Sequence, residues 1–147
     1  MECIHQCVFG AKSSELPFIK YLKQGKSENV NPGLFLRMNF VAQLERLMMP
    51  YRLLFDIFDY SFVGSFERDV LANSDEFRDF LKSMIKKRRE EMKDPSFISK
   101  GDFLTQLLSD ELFMGQEDYI VDECLTFMVA ATQTTTLMVS NSLYYLI

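Results

Sequence analysis

A chain of 147 residues, 48% hydrophobic and 25% charged, has the size and balance of one globular domain, which excludes disordered and fibrous classes. The formal net charge of -5 offers no basic face for phosphates, so nucleic acid is not an expected partner. With 14 Phe, 6 Tyr and 9 Met and no Trp, the chain has to bury an extensive apolar surface.

At the N-terminus, Glu2 and His5 interrupt any apolar start, so no secretory signal is read there. Cys3, Cys7 and Cys124 are an odd set, expected as reduced thiols in a reducing compartment. Cys3-Ile4-His5-Gln6-Cys7 crowds too few ligands for a closed zinc site, so buried or merely terminal cysteines are the expectation and metal is not. His5, the single histidine, sits near a terminus expected to fray, which argues against a Ser-His-Asp or Cys-His hydrolase.

Pro17 is expected to open a short helix carrying Phe18, Ile19, Tyr21 and Leu22, with a break from Gly25 to Gly33. Gly25-Lys26-Ser27 looks like the end of a phosphate-binding loop, but the first glycine of that motif falls on Lys20 and no strand is expected before it. Residues 33 to 63 are densely apolar, and Pro50 splits them into two expected helices. In the next helix Phe77, Leu81, Met84, Ile85 and Met92 recur at helical spacing while Lys82, Lys86, Arg89 and Lys93 can face water, and the helix ends before Pro95. The basic run Lys86-Lys87-Arg88-Arg89 reads as the solvated face of that helix, with a membrane-surface contact as the lesser alternative.

Ser99, three residues before Asp102, gives a capping-box-like start to a short helix with Phe103, Leu104, Leu107 and Leu108, closed at Gly115. Gln116-Glu117-Asp118 then opens a last helix that nothing interrupts before Ile147. From Leu125 to Ile147 no residue is charged, yet Thr132 to Thr136 place five consecutive polar side chains near the middle, which favours a deeply buried helix over a bilayer span. A helix from residue 116 to 147 is about 48 Å long, against roughly 38 Å for the diameter of a compact chain of this length. The expectation is a piece of a larger protein.

Phe127-Met128-Val129-Ala130-Ala131-Thr132-Gln133-Thr134-Thr135 resembles the long central helix of the cytochrome P-450 family, whose pattern is Ala/Gly-Gly-x-Asp/Glu-Thr-Thr. Asp102 to Leu108 is similar to the short helix before it in that family, Asp122-Glu123-Cys124 to its acidic lead-in, and Lys86 to Glu91 to the end of the helix before those. The resemblance is closest over residues 98 to 147 and looser over 1 to 97. It implies an all-α chain forming a helical segment of the larger, mainly α family fold, a partial domain over residues 1 to 147.

The resemblance also implies a parent enzyme, a heme-thiolate monooxygenase that takes electrons from a reductase and inserts one atom of dioxygen into a small lipophilic substrate. Ala130 and Ala131 match the small pair that lies across the heme, and Thr134 matches the threonine that helps bring protons to dioxygen. Gln133 stands where the family has an acid and Ala131 where it has glycine, and the run Thr134-Thr135-Thr136 leaves the register open by one residue. Thr126 and Val129 resemble substrate-pocket positions, with plain packing an equal alternative. The family's Phe-x-x-Gly-x-Arg-x-Cys loop, which supplies the axial cysteine to heme iron, does not occur here, nor does Glu-x-x-Arg, so the chain itself is expected to be inactive. The resemblance puts the parent at the endoplasmic reticulum membrane, on the cytoplasmic face, although the chain shows no anchor or signal. The rival classes are a non-catalytic all-helical binding domain and a membrane protein with one C-terminal span.

Overall fold

The computed structural model describes residues 2–49, 64–98 and 101–146. They fall into two units, one of Leu16–Phe80 and one of Met1–Glu15 with Leu81–Ile147.

The unit of Leu16–Phe80 opens on a β-hairpin rather than the helix expected after Pro17. Strands β1 (Ile19–Lys23) and β2 (Lys26–Val30) pair antiparallel with Ile19 opposite Val30. The reason is local: buried Ile19 and Tyr21 alternate with exposed Lys20 and half-buried Leu22, a period of two, and Gln24-Gly25 supplies two successive left-handed residues at φ 50° and 74°. Gly25-Lys26-Ser27 is thus a turn entering a strand. An isolated hairpin is marginal in water, and Asn73 supports this one by accepting from Leu22 N–H at 2.7 Å and donating to the Leu22 carbonyl at 2.8 Å.

Helix α2 (Pro32–Leu47) follows at once. Its cap is Asn31, whose side chain accepts from Leu34 N–H at 2.8 Å, and Pro32 takes the first helical position. It stops before Pro50, as the sequence requires; the second helix expected from residues 50–63 lies outside the described residues. Phe35 on α2 meets the ring of Tyr21 edge-on at 5.4 Å and stacks on Phe77 at 5.4 Å. Phe77 belongs to α3 (Ser65–Glu91), which contributes residues to both units. Buried Glu67 is neutralised by Arg46 at 2.6 Å, as a buried carboxylate must be.

The other unit holds α1 (Glu2–Phe9), the end of α3, α4 (Phe103–Ser109) and α5 (Glu117–Leu146). In α1, His5, Val8 and Phe9 are buried and Cys3 and Cys7 exposed, so the expected frayed terminus is instead a packed helix whose histidine and cysteines point to different sides. Leu81, Met84 and Ile85 are buried as the spacing on α3 predicts.

Arg88 corrects the reading of the basic run. One turn beyond Met84 and Ile85, it is only 7% exposed. One of its terminal nitrogens donates to both oxygens of Asp102 and to the Thr105 hydroxyl, each at 2.7 Å, and the other donates to the Phe9 carbonyl at 2.7 Å. Lys86 and Lys87 remain in solvent. The cap of α4 is Asp102 itself, accepting from Thr105 N–H at 3.3 Å, whereas Ser99 lies outside the described residues. Nor does α4 run to Gly115: it ends at Ser109, and a 3-10 turn at Glu111–Phe113 intervenes.

The described chain is therefore mainly α-helical, with the hairpin as its β element.

Candidate functional site in the last helix

Helix α5 begins with Glu117 and Asp118 in its first turn, where negative charge suits the helix dipole. Both are paired with α3, Glu117 with Arg89 at 3.1 Å and Asp118 with Lys82 at 2.9 Å. From there Ile120, Val121, Cys124, Met128 and Thr132 form one buried stripe at steps of three and four residues, and Phe127 stacks on Phe103 of α4 at 4.7 Å. The stripe ends at Thr132.

From Thr134 to Leu146 every described side chain is exposed, including Met138 at 75% and Tyr145 at 84%. Among the described residues, then, the helix expected to be deeply buried is packed along one stripe in its first half and exposed throughout its second. No helix of the described residues is long and apolar enough to cross a membrane, consistent with the polar run near the middle of α5.

The candidate site residues sit where the stripe gives out. Thr126, Ala130 and Thr134 are exposed, and at 3.6 residues per turn they fall within about 80° of arc, opposite the buried stripe. Val129 and Ala131 are half-buried on the flanks, so the two alanines do not share a face: Ala130 opens outward and Ala131 turns toward the packed side. The side chain of Gln133 lies outside those described. Thr135 is exposed and stands about 100° further round the helix than Thr134, off the face that carries Ala130.

The hydroxyls differ in setting but share one local bond. Thr134 Oγ1 donates to the Ala130 carbonyl at 2.7 Å, and buried Thr132 Oγ1 donates to the Met128 carbonyl at 2.6 Å. Each proton rests on the carbonyl four residues back. The Thr134 side chain is exposed, whereas that of Thr132 is buried.

Cys124 belongs to the buried stripe, and burial, with Glu123 nearby, pushes its thiol up to about 12, so it is neutral at physiological pH. Its side chain lies on the packed side of the helix, away from the open face. Among the described residues no cluster of potential metal ligands comes together. What the sequence reading missed is the Arg88–Asp102–Thr105 lock holding α4 beside this helix; the Asp102-x-x-Thr105 spacing was its one local sign.

Residues 20–147 match the model of the family described as cytochrome P-450. The chain belongs to the cytochrome P-450 family. It is similar to cytochrome P-450 94A1 of Vicia sativa, with 26% identity over 91 residues, 62% of this chain and 17% of that protein. The match thus spans about a sixth of that relative's length. No solved structure matches the chain. The cytochrome P-450 match takes in every residue of the candidate site and leaves α1, with Cys3, His5 and Cys7, outside it.

Proposed function

We propose that these residues are part of a heme-thiolate monooxygenase that inserts one atom of dioxygen into a small lipophilic substrate, and that the middle of α5 forms the wall facing the reaction. The observation that carries this reading is the open face of α5, where Thr126, Ala130 and Thr134 follow one another at four-residue steps opposite the packed stripe. The family membership gives that face its chemistry.

When bound, heme supplies the redox chemistry that splits dioxygen, with electrons from a reductase. The chain's own residues do the rest. Ala130, with nothing beyond Cβ, admits a flat group close to the helix backbone. Thr134 turns its hydroxyl from the Ala130 carbonyl to donate a hydrogen bond toward dioxygen while accepting one from solvent, which helps protons arrive along that path. Gln133 orients a water molecule but cannot shuttle a proton as a carboxylate does. Thr126 and Val129 border the substrate, and Ala131 serves packing. The axial thiolate comes from a segment outside these residues, Cys124 being enclosed on the packed side of the helix, and the rest of the parent covers the second half of α5.

Thr134→Ala in the parent monooxygenase tests the central assignment. Product formed per dioxygen consumed is expected to fall about a hundredfold, with hydrogen peroxide released instead. Unchanged coupling would reject the role of Thr134. For the 147-residue chain with added heme, reduced under carbon monoxide, the spectrum expected is one without the thiolate-heme band.

A further inference from the structure

Helix α1 lies outside the match to the family, so the reading of α5 does not account for its side chains. It is firmly held all the same. His5, Val8 and Phe9 are buried, Gly10 N–H donates to the Gln6 carbonyl at 2.9 Å, and Arg88 donates to the Phe9 carbonyl at 2.7 Å. At 3.6 residues per turn, Cys3 and Cys7 stand about 40° apart on the opposite side of the helix, one turn apart, and both are exposed.

Both are free thiols, and the helix sets how they can combine. Cβ atoms four residues apart on a helix are about 5–6 Å from each other. A disulfide needs about 3.5–4.5 Å, so the pair closes only if α1 is distorted. One ion between the two sulfurs fits the spacing instead. At about 2.3 Å per bond, the length of a zinc–thiolate bond, sulfurs on opposite sides of one ion sit about 4.6 Å apart. Among the described residues no group of three or more His, Cys, Asp and Glu side chains is placed to hold a metal, so this face offers two ligands and no more. Zinc, whose closed sites take four, is not satisfied there. Soft thiolates with so few partners select monovalent copper.

We propose that Cys3 and Cys7 form a two-coordinate site on the exposed face of α1 that captures one copper(I) ion. Both bind as thiolates, so two protons leave for each ion that enters, and no electron is transferred. Because the buried side of α1 is already packed, the two sulfurs are presented on one face and little backbone ordering is left for the ion to impose. The site is independent of the reading of α5, since the family match begins at residue 20.

The test is titration of the full, reduced 147-residue chain with copper(I), free of oxygen, in competition with the chromophoric chelator bicinchoninate. One ion per monomer is expected, and excess zinc should not displace it. Cys3→Ser and Cys7→Ser each leave a single sulfur on the face, so either should weaken binding at least about a hundredfold. Circular dichroism should stay that of the unsubstituted chain in both variants, because the two side chains are exposed and pack against nothing buried. No copper held against the chelator, two ions per chain, one ion shared between two chains on gel filtration, displacement by zinc, or affinity unchanged in either variant would each overturn the assignment.

Discussion

The two halves of α5 are one continuous helix with opposite fates. Residues 117–132 begin with charges and carry only a narrow apolar stripe, yet they are locked down by Arg89 and Lys82 at the start and by Ile120 to Met128 along the side. Residues 134–146 carry no charge and several large apolar side chains, yet none of those described is buried. Burial is thus set by the neighbours a helix meets, here α1 and α4, and not by its own apolarity. Leu137, Val139 and Leu143 each stand to gain about 1.5–3 kcal/mol from a cover they do not have among these residues.

The comparison is broken most severely at the lock that holds α4 in place. Arg88→Ala leaves Asp102 buried and unpaired and takes a donor from the Phe9 carbonyl, so about 3–5 kcal/mol of stability is expected to be lost in urea unfolding of the whole chain. A loss below about 1 kcal/mol would mean that Asp102 reaches solvent. Next in size is a matched pair on α5 itself. Met128→Ala is expected to cost about 2–5 kcal/mol, because it opens a cavity in the packed half. Met138→Ala, ten residues on, should stay within about 0.5 kcal/mol. Equal costs would show that the second half is packed too.

A third contrast uses pH. The Cys124 thiol is raised in the folded chain from 9.0 to about 12, while Cys3 and Cys7 are exposed on α1. A group with a raised folded pKa gives stability that is complete below its unfolded value and lost as pH climbs to the folded one. Stability should therefore hold up to about pH 9 and then fall by about 1.4 kcal/mol per pH unit toward pH 12, from this group alone. Cys124→Ser should remove most of that slope, serine having no proton to lose in that range. At pH 8 a thiol reagent is expected to modify two cysteines at once and the third only as fast as the chain opens.

Where neighbours matter least, the sequence was readable. The recurrence of Phe77, Leu81, Met84 and Ile85 placed the buried side of α3, and the acids at 117 and 118 placed the start of α5, whereas Ala130 and Ala131, read as one pair, fall on different sides of the helix. The hairpin was missed because Phe18, Ile19, Tyr21 and Leu22 fit a helical turn as readily as a strand, and the Gln24-Gly25 turn that settles the matter was taken for a plain break. Arg88 was unreadable for a deeper reason. Its partners Asp102, Thr105 and the Phe9 carbonyl lie 14, 17 and 79 residues away, and nothing in a basic run tells which of its members will meet them.

The smallest expected effect is the most useful for the site. Thr132 and Thr134 make the same bond, a hydroxyl donated to the carbonyl four residues back at 2.6 and 2.7 Å, but Thr132 is 8% exposed and Thr134 faces outward. Substituting valine keeps the branched shape and removes only the hydroxyl, so the pair compares a buried hydroxyl with an exposed one. Thr132→Val is expected to cost about 1 kcal/mol and Thr134→Val less than about 0.5 kcal/mol in the same unfolding assay. If that order holds, the hydroxyl of Thr134 is not kept for stability, and a loss of coupling on its removal in the parent enzyme cannot be put down to a damaged fold. If instead Thr134→Val costs as much as Thr132→Val, its hydroxyl is fixed on the Ala130 carbonyl by structure, and a proton held there is not free to be delivered.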